Sequence, residues 1–139
     1  KPIEDFEAYA RALRARLNPT TSVLTLAYDA AKANPKRVVF AEGEEEVVLR
    51  AAIQFRDGGY GVPVLVGRDS TRDKLAALGV ADPDSFEIHN SANSPHVPAM
   101  VDLLYERLQR RGYLKRDVER MVNRDRNTFG ALMLKLGLA

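Results

Sequence analysis

Four groups of residues in this sequence are of types that could do chemistry. Glu42-Gly43-Glu44-Glu45-Glu46 sits where an apolar run gives way to a helical pattern. In many α/β proteins that junction cradles phosphate on backbone N–H groups. One glycine among four carboxylates suits phosphate poorly. The plainer reading is that acids at a helix N-terminus complement its dipole, at about 0.3–1 kcal/mol each. The segment is neither a dinucleotide fingerprint nor a P-loop. His89 and His96 flank Asn90-Ser91-Ala92-Asn93-Ser94-Pro95, a loop that would follow a strand. No carboxylate or further histidine stands at metal-ligand spacing, and Ser91 and Ser94 lack the glycine elbow of a hydrolase nucleophile, so a polar surface loop is favoured. Arg107, Arg110 and Arg111, with Lys115 and Arg116 beyond Gly112, form a basic cluster near a helix end. The cluster either complements the helix dipole or holds an anion such as a nucleotide phosphate. Arg124 and Arg126 precede the last predicted helix, whose N-terminus is itself suited to an anion. On physical grounds alone these two are the best candidates for phosphate contact.

Alternating elements must position these groups. Ile3, Phe6, Ala10, Leu13 and Leu17 make one apolar stripe, which predicts a helix ending at Asn18-Pro19. Thr20-Thr21-Ser22 offers caps for a second helix over Val23 to Ala33. Arg37 to Ala41, Val62 to Val66 and Phe86 to His89 read as strands. Helices are predicted over Glu45 to Arg56, with Val48, Ala52 and Phe55 inward, and from a cap at Asp69-Ser70 to Leu78. Gly58-Gly59-Tyr60-Gly61 is in the wrong order for phosphate and serves as a connection and C-cap. Strands so spaced require crossovers, which predicts a parallel sheet. Three further helices follow, about Val97 to Arg110, Arg116 to Val122 and Thr128 to Leu136, punctuated by Gly112 and Asn127. Three strands leave these last helices without an obvious surface to pack on. That, a first residue other than Met and a last helix with no strand after it predict an incomplete domain. A sheet so exposed at its edge would self-associate or be poorly soluble.

The chain has 139 residues, 45% hydrophobic and 29% charged, with a formal net charge of +2. That composition supports a globular core and offers no concentrated basic patch for nucleic acid. There is no cysteine, which excludes disulfides, thiolate metal sites and a cysteine nucleophile. No apolar run or signal peptide points to a membrane or to export, so the expected location is cytoplasmic.

Several segments together resemble phosphotransacetylases. Val38-Val39-Phe40-Ala41-Glu42-Gly43-Glu44 with Leu49-Arg50-Ala51-Ala52 resembles their opening strand and helix. Pro63-Val64-Leu65-Val66-Gly67 resembles their second strand. Phe129-Gly130-Ala131-Leu132-Met133 with Leu136-Gly137 resembles the helix before their next core strand. Ala41, the acidic run from Glu42 to Glu46, and His89-Asn90-Ser91-Ala92 are similar to the C-terminal domain of bacterial hybrid NADP-dependent malic enzymes. Lys1 to Phe6 and the helix after them resemble the connection to the catalytic half of those enzymes.

The resemblance implies a three-layer α/β/α parallel sheet of phosphotransacetylase (isocitrate/isopropylmalate dehydrogenase-like) type. Residues 1–35 would be leading helices and residues 36–139 the N-terminal part of the α/β domain. It implies a parent protein that oxidatively decarboxylates malate to pyruvate with NADP and a divalent metal, Mg or Mn. This region would serve regulation and assembly, with acetyl-CoA as effector. The parent would be a homo-oligomer, with the remainder of the chain as this region's partner and neither nucleic acid nor membrane involved. No cofactor and no catalysis are expected of these residues alone. Two departures weigh against the rival activity, acetyl transfer from acetyl-CoA to phosphate. Phosphotransacetylases commonly carry arginine where this chain has Val47. They also read Tyr-x-x-Arg-x-x-Lys-Gly where this chain has Tyr105 to Gly112, which puts Leu108 at the arginine that helps hold coenzyme A. Arg107 is about 100° away around the helix and cannot simply substitute. Losing such a contact costs about 1.5–3 kcal/mol.

Overall fold

The computed structural model describes residues 5–17 and 19–139. Two helices come first, α1 (Phe6–Leu17) and α2 (Pro19–Ala33). Then β1 (Lys36–Phe40), α3 (Glu46–Asp57), β2 (Gly61–Val66), α4 (Thr71–Ala77) and β3 (Glu87–His89) alternate. Three helices complete the order: α5 (Val97–Leu108), α6 (Lys115–Arg124) and α7 (Arg126–Lys135). Among the described residues the sheet runs β1-β2-β3, with both pairs parallel, as the strand spacing predicts.

β2 is the centre of the molecule because its side chains alternate between two apolar layers. Val64 and Val66 face one core, built with Met100, Val101, Val118, Val122, Phe129 and Met133 from α5, α6 and α7. Leu65 faces the other, with Leu49 and Ala52 of α3, Leu75 of α4 and Phe86. This is a three-layer α/β/α arrangement. It overturns the expectation that the last three helices lack a packing surface: together they cover the Val64–Val66 face. Pro63 is tolerated inside this central strand because β3 pairs only from Val64 onward, leaving Pro63 beside β1 alone. Gly61 is required at the first rung of β2, since a Cβ there would lie 2.1 Å from the Lys36 carbonyl oxygen.

Boundaries shift where local chemistry allows two solutions. Proline suits the first position of a helix, so α2 starts at Pro19 and Thr20 to Ser22 lie inside it. Ser70 precedes α4 but makes no side-chain cap bond. Asn127 lies within α7, and Asp125 provides the stop instead: its carboxylate accepts from Asn127 N at 3.0 Å and Thr128 Oγ1 at 2.5 Å. Leu49 is buried deeper in α3 than the expected Val48. Gly58 caps α3 and Gly112 ends the α5 segment in the left-handed region, as read from the sequence. Ile3 of the predicted first stripe lies outside the described residues; Phe6 and Leu13 of that stripe are exposed.

Candidate functional site

Loops at the carboxyl ends of parallel strands are where such sheets receive ligands. Here those loops are stitched to one another. Gly43 N donates to the Val66 carbonyl at 3.0 Å, and Gly67 N donates to the His89 carbonyl at 3.0 Å. A Cβ on Gly43 would come within 2.9 Å of the Val66 oxygen, so only glycine permits the first contact.

Glu44 is the hub of this edge. One carboxylate oxygen accepts from Arg68 N at 2.8 Å and the other from Arg126 Nη2 in a short ion pair. Lys74 Nζ donates to its backbone carbonyl at 2.7 Å. The Glu44 carboxylate is 14% exposed and the Arg126 side chain 27%. Burial pushes the carboxyl pKa up. The Arg68 amide, the Arg126 hydrogen bond and the two guanidinium charges outweigh that, holding it below the ordinary glutamate value. Glu44 therefore does not act as a helix-dipole acid. Only Glu46 sits in the first turn of α3, where it takes Arg50 at 2.7 Å.

Beside this hub lies a cavity of about 210 Å³ lined by Gly67, Arg68, Asn90, Asn123, Arg124 and Arg126 among others. The predicted pair Arg124 and Arg126 is thus brought to the carboxyl edge. The anion position at the N-terminus of α7 is nevertheless taken by the chain's own Asp125, and the Arg126 charge is paired with Glu44. The other predicted cluster lies elsewhere. Arg107, Arg110 and Arg111 border an open hollow of about 470 Å³ with Leu104 and Leu108. The cavity and the hollow share no lining residue, so the five arginines form two separate groups. Leu108 packs against the core beside Val101 and Leu104. Val47 is 80% exposed at the start of α3.

The histidine loop has a structural explanation. His89 Nε2 lies 2.7 Å from Glu87 Oε1, and Glu87 also accepts from Arg37 at 2.8 Å. Arg37 reaches on to the Leu138 carbonyl at 2.9 Å, tying β1, β3 and the end of the α7 segment together. Among the described residues no group of three or more His, Asp or Glu is placed to hold a metal ion. No helix among them is long and apolar enough to cross a membrane. Sequence reading missed Arg68, Lys74 and Asn123. The one signal available was the repeat of a strand followed by glycine and a charged residue, Gly43-Glu44 and Gly67-Arg68.

The layered parallel sheet with stitched carboxyl-end loops defines a three-layer α/β/α class of domain. A family model described as phosphate acetyl/butaryl transferase matches residues 22–139, and the chain belongs to that family. It is 44% identical over 99% of its length to an NADP-dependent malic enzyme of Rhizobium meliloti (strain 1021), and 39% identical over 97% to a probable NADP-dependent malic enzyme of Rickettsia prowazekii (strain Madrid E). The chain spans 18% of the length of each of those two relatives. A crystal structure of a phosphotransacetylase from Streptococcus pyogenes superposes with a TM-score of 0.68 at 29% identity, over 76% of this chain and 31% of that one.

Acid sensitivity follows from the carboxylates. Glu44, Glu87 and Asp125 all have pKa values held below their ordinary ones. For Glu87, burial pushes up and is outweighed by His89 and Arg37. For Asp125, the Thr128 hydroxyl is the main cause. A depressed folded-state pKa gives stability that is present above the unfolded value, about 4 for these groups, and is lost as pH falls through the folded value. Urea midpoints are expected to hold steady from neutral pH to about 5 and to fall below about 4. Glu44→Gln should flatten that fall.

Proposed function

We propose that this chain is part of a regulatory and assembly domain of an NADP-dependent malic enzyme that senses acetyl-CoA. The observation that carries the reading is the 44% identity to a malic enzyme over 99% of the chain, α1 included. Two site features support it. Leu108 packs half-buried against the core at a position where the resemblance expects a coenzyme A arginine, and exposed Val47 stands where it expects another. The residues present would favour binding and relay over acyl transfer. In the parent, NADP would accept the hydride and a divalent metal would polarise the carbonyl. This chain's own part would be to hold the carboxyl-edge loops in one arrangement through Glu44, Arg68 and Arg126. The basic hollow at Arg107, Arg110 and Arg111 and the cavity at Arg124 and Arg126 are the two places where an acyl-CoA phosphate would meet guanidinium groups. The same reading makes the parent a cytoplasmic homo-oligomer.

The test follows malate-dependent NADPH formation by the protein as its gene encodes it, while acetyl-CoA is titrated. Activity that falls with acetyl-CoA is the expected result. Activity indifferent to acetyl-CoA would remove the sensing role and leave assembly. The second reading, acetyl transfer between coenzyme A and phosphate, draws on the family match and the Streptococcus pyogenes superposition. Absence of malate-dependent reduction together with acetyl phosphate–coenzyme A exchange at enzymatic rates would establish it in place of the first.

A further inference from the structure

We propose that the apolar outer face of the α1–α2 hairpin is the seat of the malate-oxidising portion of a malic-enzyme polypeptide. The inference rests on the reading above and extends it to a specific surface. Phe6, Tyr9 and Leu13 fall three and four residues apart and line one side of α1, with Phe6 74% exposed. Val23 and Leu26 do the same on α2, with Leu26 69% exposed. Among the described side chains of the hairpin the half-buried ones are small: Ala10, Thr25 and Ala31. α1 and α2 pack on each other, and α2 meets the body of the domain where Tyr28 stacks 5.0 Å from Tyr60 and Lys32 lies over the same ring at 5.4 Å. Large side chains are thus turned outward on a pair of helices that already has its internal contact. Several large apolar side chains left exposed on one helix pair mark an interaction surface.

The comparisons single out one occupant. The acetyltransferase family model begins at residue 22, inside α2, and leaves out α1. The malic-enzyme relatives match 99% and 97% of the chain, so α1 is shared with them. An element present with the long malic enzymes, and outside the family they share with acetyltransferases, fits a surface that meets what only the malic enzymes have. Arg14 and Arg16 are exposed in the last turn of α1, beside the stripe. The complementary surface therefore has an apolar centre and an acidic border on that side.

Hydrogen exchange of the protein as its gene encodes it, compared with the 139-residue chain, tests this. Amides of α1 and α2 are expected to exchange at least about tenfold more slowly in the former, through loss of local opening. Leu13→Asp with Leu26→Asp should erase that difference while the amides of β2 keep theirs. Equal exchange of the hairpin in both, in a protein that reduces NADP with malate, would overturn the docking and leave the malic-enzyme reading standing. Lack of malate-dependent reduction would overturn the reading on which it rests. Self-association of the 139-residue chain that Leu13→Asp abolishes, seen by sedimentation, would make a second copy the occupant and overturn the proposal.

Discussion

Phe129→Ala is expected to lower the stability of the chain by about 3–5 kcal/mol, the usual range for emptying a fully buried aromatic site. Phe129 lies in the first turns of α7, completely buried, where α5, α6 and α7 meet the Val64–Val66 face of the sheet. Removing the ring empties space in a cluster that joins three helices and one strand. The surrounding atoms are already close-packed, so they close the gap only in part. Domains of this size are stable by about 5–15 kcal/mol in total, so a large share of the molecules would unfold under mild urea. The urea midpoint at neutral pH is the measurement. Met133→Leu, a volume-conserving change in the same layer, should cost less than about 1.5 kcal/mol. A Phe129→Ala midpoint within that smaller range would mean the helical layer is not held by this residue.

Glu44→Ala should be the next most damaging change. Taking one partner from a buried ion pair costs about 3–5 kcal/mol, because the other charge is left without its counterpart. Glu44 and Arg126 retain some exposure, so the cost falls below that range, at about 2–3 kcal/mol. Two donors lose their acceptor, the Arg68 amide and the Arg126 guanidinium, and Arg126 gains a free charge beside the cavity. Arg126→Met alone should also destabilise. Adding it to Glu44→Ala should cost little more, since the pair is already broken. Additive losses in that cycle would show that the two side chains act independently.

The elements were legible where hydrophobic period decides structure. Val38-Val39-Phe40 and Val62 to Val66 are short β-branched runs between helical stripes, and a parallel sheet follows from the spacing. The family resemblance was legible in the same segments, because strand-closing loops such as Gly43-Glu44 admit few alternatives. The Glu44–Arg126 pair was not, because its partners are 82 residues apart and no local spacing encodes their meeting. The same limit hid the surface on which the last three helices pack. That surface is one face of β2, already counted as a buried strand with no indication of which helices cover it. The α7 cap was misplaced by two residues because Asn127 and Asp125 are both plausible stops, and only the carboxylate reaches Asn127 N and Thr128 Oγ1. The arginines were read as one class of anion contact. The structure divides them between the end of the α5 segment and the junction of α6 and α7.

The stitching of the carboxyl-edge loops bears on where this chain can change in length. Gly43 leans on the end of β2 and Gly67 on the end of β3, each through a single backbone bond. A residue inserted into either loop would slide its glycine off the carbonyl it meets, and the neighbouring loop would lose its rest in turn. Insertions and deletions in related sequences should therefore be scarce after β1 and β2. They should gather instead in the connection from α4 to β3, at Ala81 and Asp82, which lie exposed and where the Asp82 carbonyl accepts only from Ser85 within the same connection.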